Sequence, residues 1–204
     1  MPFSYRTEQW LPHSVPAVFA ALANPGNLPR LMPAWQKARI VEASIMPPLH
    51  PPTPSPRAIV AAGVGTQLLL SFYPFPHSPF RVRWEAQITE FAWNDHFVDL
   101  QLRGPFAFWN HCHTVSAMTR DGIRGACVVD LIEYELPFGP LGRLAHHLWL
   151  RTQIERSFAF RQEQFAELLA KTIRAPVSPP PANPESQPPV PSSPAPAALP
   201  LQPH

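Results

Sequence analysis

Two histidines separated by one residue, His111 and His113, are the side chains whose type and spacing could do chemistry in this chain. Because alternate residues of a strand point to the same face, an extended segment would carry both imidazoles on one side. An imidazole oriented by a carboxylate such as Asp130 can act as a general base. Two histidines can also form part of a metal site, although the sequence places no third ligand beside them. The commonest role of such residues is simpler: hydrogen-bonded histidines that line a pocket.

The turn that follows these histidines sets which residues lie opposite them. Asp121 and Gly122 form a strong two-residue hairpin signal, since both central residues of a type I′ turn need a positive φ. Directly opposed residues of an antiparallel pair share a face of the sheet. Counting back from this turn predicts three pairs on one face: His113 with Asp130, His111 with Ile132, and Trp109 with Tyr134.

A second turn, at Gly104 and Pro105, extends the prediction to the preceding strand. Treated as a two-residue turn, it adds two pairs to the same face: Leu100 with Trp109, and Val98 with His111. The first register also places Cys112 opposite Leu131, so we expect no disulfide between Cys112 and Cys127.

The face so defined is apolar and aromatic except for four polar side chains, those of His111, His113, Asp130 and Tyr134. The other face, with Asp99, Gln101 and Arg103, is predicted to be solvated. Apolar walls with a few orienting polar groups are typical of a small-molecule pocket. The predicted ligand-binding residues are Trp84, Val98, Leu100, Trp109, His111, His113, Asp130, Ile132, Tyr134, Leu148 and Phe158. If the protein is an enzyme, the catalytic candidates are His111, His113, Asp130 and Tyr134.

The elements that must position these residues form an α+β fold. A first strand at 3–11 is followed by two short helices, six further strands and a helical segment at 139–173. Consecutive strands joined by short turns make an antiparallel sheet, and the last helix is the element large enough to cover one face of it. The apolar residues of this helix change face near residues 150–152, which predicts a short lead-in helix, a kink and a long helix.

Prolines divide the chain. Of its 30 prolines, many fall between Pro47 and Pro56 or after Ala175. Proline cannot occupy a central strand or a helix interior, so we predict a loop insertion at 47–58. The segment 175–204 has one charged residue and no periodicity, which predicts a disordered tail. The predicted domain is therefore 1–174.

Composition argues against several classes of function. The formal charge is +2, and the basic residues alternate with acidic ones, so we expect no nucleic-acid partner. No apolar run approaches the ~20 residues of a membrane span, and the N-terminus does not resemble a signal peptide. Eight glycines without a phosphate-binding motif argue against a dinucleotide site. We predict a cytoplasmic protein with no metal and no cofactor.

Several motifs make the chain similar to a known family over about residues 3–170. They are Ser14–Phe19, Asn24-Pro25 with Leu28-Pro29, Ile88–Phe91, Gly104–Phe106 with Trp109, His111 and His113, and Asp130 with Tyr134–Gly142. With these motifs the sequence resembles the SRPBCC superfamily of START/Bet v 1-like helix-grip proteins, specifically its small bacterial ligand-binding branch. The resemblance implies a seven-stranded antiparallel sheet curved around the C-terminal helix and enclosing an apolar cavity. Relatives bind lipids, sterols, quinones or polyketides, and some catalyse cyclisation or dehydration.

Three hypotheses about function follow from these patterns. The first is a carrier or sensor of a small hydrophobic ligand, such as a lipid, quinone, polyketide-like or aromatic molecule. The second is a cyclase- or dehydratase-like enzyme that uses the cavity His, Asp and Tyr side chains. The third rests on the resemblance alone, which implies an accessory module of a nucleotide-sugar epimerase-like partner protein.

Deletion of Ala175–His204 tests the domain prediction. All periodic apolar segments end by Ile173, and a few scattered apolar residues cannot offset the ~1–2 kcal/mol per residue that ordering the tail would cost. The truncated protein should therefore melt within about one or two degrees of the full chain. A fall of about ten degrees in a thermal melt would show instead that the tail docks on the domain.

Overall fold

The computed structural model describes residues 2–49 and 60–174, the side chains of 172–174 excepted. Most of the predicted insertion at 47–58 and the whole of the predicted tail at 175–204 lie outside the described residues. Within them, a seven-stranded antiparallel sheet curves around a long C-terminal helix, with short helices near the N-terminus. The predicted α+β helix-grip architecture is thus confirmed.

The strands of the sheet follow one another as a meander, with the first strand added at the far edge. Their order in the sheet is β1-β7-β6-β5-β4-β3-β2. Their bounds are β1 Phe3–Leu11, β2 Arg39–Ser44, β3 Gln67–Phe72, β4 Val82–Ala92, β5 His96–Arg103, β6 Phe108–Arg120 and β7 Ile123–Glu135. The long strands β6 and β7 lie inside this order, so each is paired with a neighbouring strand on both sides.

The β6–β7 hairpin has the predicted register. Asp121 and Gly122 have φ values of 51° and 77°, which two residues of a type I′ turn require. From this turn the ladder runs unbroken for thirteen residue pairs and places His113 opposite Asp130. The cysteines are free, and Cys112 lies opposite Leu131 as expected.

The register predicted between β5 and β6 is wrong by one residue. Asp99 lies opposite His111, and Leu100 lies opposite Asn110. The connection is longer than a two-residue turn, because β5 ends at Arg103 and β6 begins at Phe108. The Gln101 side chain donates a hydrogen bond of 2.8 Å to the carbonyl oxygen of Phe106 and so closes this longer loop. Since side chains alternate, a shift of one residue turns every side chain of β5 to the other face.

Helices enclose the concave face of the sheet. They are α1 (Val15–Leu22), two 3₁₀ segments (Pro25–Leu31 and Ala34–Gln36), α2 (Pro140–Ala145), a π-helical turn (His146–Leu150) and α3 (Arg151–Arg174). Phe165 and Leu169 of α3 are buried against Val18 and Phe19 of α1, whose side chains are fully buried. This apolar core fixes one end of α3 on the sheet.

The lead-in helix does not continue the buried face of α3. The π-helical turn changes the helical phase between α2 and α3, close to the predicted kink. As a result Leu141, Leu144 and Leu148 are exposed, with Leu148 at 75 %. The predicted placement of Leu148 on the cavity wall is therefore wrong, whereas its neighbours Trp149 and Leu150 do reach the cavity.

Replacement of Gly125 by alanine should destabilise the fold. A Cβ atom at this position of β7 would lie against the carbonyl oxygen of Leu11 and 2.9 Å from the indole ring of Trp10. Overpacking of this kind costs about 1–3 kcal/mol. We expect a decrease in Tm of roughly 3–10 °C for a domain of this size. The exposed neighbour Arg124 provides the control, because Arg124→Ala should leave Tm nearly unchanged; equal melting of the two variants would contradict the close approach.

Candidate functional site

A cavity of about 400 Å³ lies between the concave face of the sheet and α3. Its walls are mostly apolar and come from β3, β4, β5, β6, α3 and the first 3₁₀ segment. Side chains on this wall include Leu28, Leu31, Leu68, Leu70, Phe72, Trp84, Ile88, Phe106, Trp109, Ile154 and Phe158. Cavities of this size and polarity accommodate small organic molecules.

Four polar side chains meet at one side of this cavity. His111 and His113 are 4 % and 2 % exposed, and Asp130 of β7 is 5 % exposed. The fourth is Asp99 of β5, which the corrected register brings to the same face. We call Asp99, His111, His113 and Asp130 the His–Asp cluster. Asp99, His111 and His113 line the cavity, and Asp130 lies behind the two imidazoles.

Each histidine of the cluster contacts both carboxylates. His113 Nε2 lies 3.1 Å from Asp99 Oδ2, and His113 Nδ1 lies 2.6 Å from Asp130 Oδ1. His111 Nε2 lies 3.1 Å from Asp130 Oδ1, and His111 Nδ1 lies 3.6 Å from Asp99 Oδ2. The two imidazoles therefore bridge the carboxylates side by side, with ring centroids 3.8 Å apart.

One of these contacts is short yet poorly aligned. His113 Nδ1 has no partner of hydrogen-bond geometry among the described residues, despite its distance of 2.6 Å from Asp130. Attraction between opposite charges therefore contributes more to this contact than a directed hydrogen bond does. The hydrogen-bonded pairs are His113 with Asp99 and His111 with Asp130.

The carboxylates of the cluster stay charged in spite of their burial. Burial by itself raises the pKa of a carboxyl group. At Asp130, however, the positive charge of Arg161, followed by that of His113 and by the close contacts with both histidines, holds the pKa well below its ordinary value. At Asp99 the hydrogen bond from His113 opposes burial and lowers the pKa.

The two histidines titrate in opposite directions. Burial, reinforced by the charge of His113, lowers the pKa of His111 from 6.5 to about 4. At His113 burial also acts to lower the pKa, but the charge of Asp130 and the close contacts with both carboxylates outweigh it and raise the pKa above 6.5. Burial thus favours the neutral form of His111, whereas the two carboxylates favour the protonated form of His113.

Arg161 extends the polar region onto α3. Its side chain lines the cavity, and its guanidinium lies 5.7 Å from the ring centroid of Phe158. Along the helix Arg161 follows Ile154 and Phe158 and precedes Phe165, which places a cation within an otherwise apolar stripe. The cavity therefore has charged groups of both signs on facing walls.

The structure brings together only some of the predicted ligand-binding residues. Trp84, Trp109, His111, His113 and Phe158 line the cavity. Asp130 contacts both histidines from behind, and Ile132 is fully buried in the packing beside Trp109. Val98 and Leu100 face the other side of β5, because the β5–β6 register differs from the prediction by one residue. Phe97 and Asp99 occupy the places on the cavity wall that had been predicted for these residues.

Tyr134 is not part of the His–Asp cluster. Its hydroxyl lies 3.1 Å from His146 Nδ1, on the side of a second pocket that Tyr5, Arg151 and Glu155 also line. Burial raises the pKa of Tyr134 to about 12. A catalytic role for Tyr134 together with His113 would require the two to share a pocket, and among the described residues they do not.

Sequence reasoning missed Asp99 and Arg161. Asp99 was assigned to the solvated face by a register error, and only the length of the β5–β6 loop could have corrected it. Arg161 had a usable signal, because a cation at helical spacing among buried apolar residues is unusual on a core-facing stripe.

Comparison with solved structures identifies the fold. TTHA0849 from Thermus thermophilus matches with a TM-score of 0.60 and 14% identity, over 83% of this chain and 99% of that one. CV1439 from Chromobacterium violaceum matches with a TM-score of 0.56 and 15% identity, over 82% and 97%. Norcoclaurine synthase from Thalictrum flavum, in complex with dopamine and hydroxybenzaldehyde, matches with a TM-score of 0.53 and 15% identity, over 84% and 88%. The chain has the Bet v 1-like helix-grip fold.

The fold resemblance predicted from the sequence is therefore confirmed, and the small bacterial branch of the superfamily stays a prediction. No protein-family model matches the chain, and no curated protein matches it. Within residues 2–49 and 60–174 there is no helix with both the length and the apolar character to cross a membrane.

The pKa of His111 predicts how stability depends on pH. Between pH 6.5 and about 4 the unfolded chain binds a proton at His111 that the folded protein does not, so stability should fall as the pH falls through this window. The loss is on the order of 3 kcal/mol. His113 acts in another window. Because its pKa is raised in the folded protein, it contributes stability that is fully present below pH 6.5 and is lost as the pH rises from 6.5 through that raised pKa.

Urea unfolding at several pH values, in buffer with EDTA, measures this dependence. The wild-type protein should lose stability on acidification from pH 6.5 to 4, and His111→Gln should show a flatter profile in that window. Equal slopes for the two proteins would mean that His111 is not held neutral by burial.

Proposed function

We propose that this protein binds a small hydrophobic molecule in the cavity between the sheet and α3, as a carrier or sensor. The observation that carries the proposal is the cavity of about 400 Å³ with an apolar, largely aromatic wall. Closely packed domains leave few voids larger than a water molecule, so a cavity of this size has a use beyond packing. Burial of ligand surface against this wall would supply most of the binding free energy.

The polar part of the wall suggests what kind of ligand fits. The His–Asp cluster and Arg161 lie among aromatic side chains, so a ligand with an apolar body and one polar end would satisfy both regions. A purely aliphatic ligand would take the guanidinium of Arg161 out of water without offering it a hydrogen-bond acceptor, which is costly. A quinone, a phenol or an aromatic acid suits the cavity better. A fold neighbour, norcoclaurine synthase, is in complex with dopamine and hydroxybenzaldehyde, which are small aromatic molecules with polar substituents.

A variant that fills the cavity tests the proposal. Ala86 of β4 lines the cavity, and Ala86→Trp would place an indole ring inside it. Native mass spectrometry of protein purified from its own host should show a bound organic molecule in the wild type and much less in Ala86→Trp. Displacement of the fluorescent probe 1-anilinonaphthalene-8-sulfonate by menadione should likewise weaken at least tenfold.

The matched control is Ala117→Trp, which adds the same ring on an exposed part of β6. This variant should bind as the wild type does. The proposal that the ligand binds within the cavity is wrong if all three proteins bind the probe and menadione equally, or if none of them carries an organic molecule.

A second candidate is general acid–base catalysis on a ligand held in the cavity. The observation that favours it is the 2.6 Å contact between His113 Nδ1 and Asp130 Oδ1, with His113 facing the cavity. A carboxylate that holds an imidazole in place, with a pKa near working pH, is the arrangement that proton abstraction needs. Cyclisation and dehydration of polyketide-like substrates both begin with removal of a proton next to a carbonyl group.

Solvent-hydrogen exchange tests this second candidate without knowledge of the natural substrate. Acetophenone incubated with the protein in D₂O should exchange its methyl protons faster than in buffer, as followed by NMR. The enhancement should be lost in His113→Gln and retained in His96→Gln, which changes a partly exposed histidine of the same sheet. An exchange rate equal to that in buffer would contradict catalysis by His113 and leave ligand binding as the proposed function.

The epimerase-like partner protein remains a prediction of the resemblance.

A further inference from the structure

We propose that Asp99, His111 and His113 form a binding site for one divalent transition-metal ion, such as Zn²⁺, on the wall of the cavity. The proposal goes beyond ligand binding, and it rests on the position of Asp99 next to two histidines that already looked like part of a metal site. One nitrogen or oxygen atom from each of the three residues lies within 4.8 Å of the others. Two imidazoles and one carboxylate form a donor set that zinc and ferrous iron accept.

Distances within the cluster match those between ligands of one ion. Asp99 Oδ2 lies 3.1 Å from His113 Nε2 and 3.6 Å from His111 Nδ1. Ligand bonds of ~2.0–2.2 Å in a tetrahedral arrangement separate neighbouring ligand atoms by roughly 3.3 Å. The two distances from Asp99 are therefore close to those around one ion, and the distance between the histidine ligand atoms is within 4.8 Å, so side-chain adjustment without movement of the sheet would bring all three onto one ion.

Asp130 supplies the supporting contacts that metal-binding histidines need. The nitrogens of His111 and His113 that do not face Asp99 both face Asp130, with Nε2 of His111 at 3.1 Å and Nδ1 of His113 at 2.6 Å from the same oxygen. In metal sites a carboxylate commonly accepts a proton from the outer nitrogen of each ligating histidine and so fixes its tautomer. Asp130 is hydrogen-bonded in this way to His111, and it lies close behind His113, whose ring would need to reorient slightly to donate to it.

Charge and access are consistent with this site. Two carboxylates and two neutral imidazoles carry a charge of −2, which a divalent cation offsets, whereas a single protonated His113 offsets half of it. The positive charge of Arg161 faces the same cluster and opposes the cation. All three proposed ligands line the cavity while Asp130 does not, so coordination positions left by the protein would point toward bound small molecules.

Titration of metal-free protein with Co²⁺ tests the site. Untagged full-length protein is stripped with EDTA, dialysed, and titrated while visible absorption is recorded, and Zn²⁺ binding is measured by calorimetry. We expect one equivalent of Co²⁺ to give d–d bands of a four- or five-coordinate ion, and Zn²⁺ to bind with a Kd of micromolar or below. Absence of saturable binding of either ion to the wild type would overturn the proposal, independently of organic-ligand binding.

Three variants separate this site from other histidines. Asp99→Ala should weaken Zn²⁺ binding at least a hundredfold, and Asp130→Asn should weaken it about 10–100-fold as a supporting residue. His96→Ala is the matched control, since it removes a surface histidine that pairs with Asp95 and Glu90, and it should bind as the wild type does. Circular dichroism and thermal melts confirm that each variant is folded. Equal affinity of Asp99→Ala and the wild type, or loss of binding in His96→Ala, would contradict the assignment.

Discussion

Mutual neutralisation of buried charges is the constraint on which this domain depends most. Asp130 is buried and Asp99 is largely buried beside an apolar cavity, where an unpaired carboxylate would be strongly disfavoured in its ionised form. His113 and Arg161 provide the opposing charges, His111 donates a hydrogen bond to Asp130, and the groups come from four elements, namely β5, β6, β7 and α3. The charges of the cluster are therefore balanced only when β5, β6 and β7 pair in the correct register and α3 packs on the sheet. The same requirement that gives the cavity its polar region makes the sheet register specific.

The long helix α3 serves two purposes along its length. Toward its C-terminal end, Phe165 and Leu169 pack tightly against α1 and contribute to a filled core. Toward its N-terminal end, Ile154 and Phe158 line the cavity, where packing is incomplete. Tight packing at one end anchors the helix, so that the other end can border an open volume without loss of the fold. Stability and binding are in this way assigned to different turns of a single helix.

The sequence predicted the architecture well because its signals are local. The Asp121-Gly122 turn requires positive φ values that few other residue pairs accept, and the whole β6–β7 register follows from it. The β5–β6 connection carried no such constraint. There the loop is closed by the side chain of Gln101, a contact that depends on the folded geometry. A register error of one residue placed Asp99 on the wrong face of the sheet, and so removed one of the two carboxylates from the predicted site. Side-chain contacts across a loop are the information that a pattern of residue types lacks.

The π-helical turn at His146–Leu150 bears on how this chain can vary over evolutionary time. Such a turn holds one residue more than the α-helical turn that it replaces. Loss of one residue there would join α2 and α3 into a continuous α-helix and rotate α2 by about 100° relative to α3. Leu141 and Leu144, now exposed, would move to another side of the helix, while the residues of α3 on the cavity wall would keep their positions. A change of a single codon in length can thus reorient α2 and leave the His–Asp cluster unchanged.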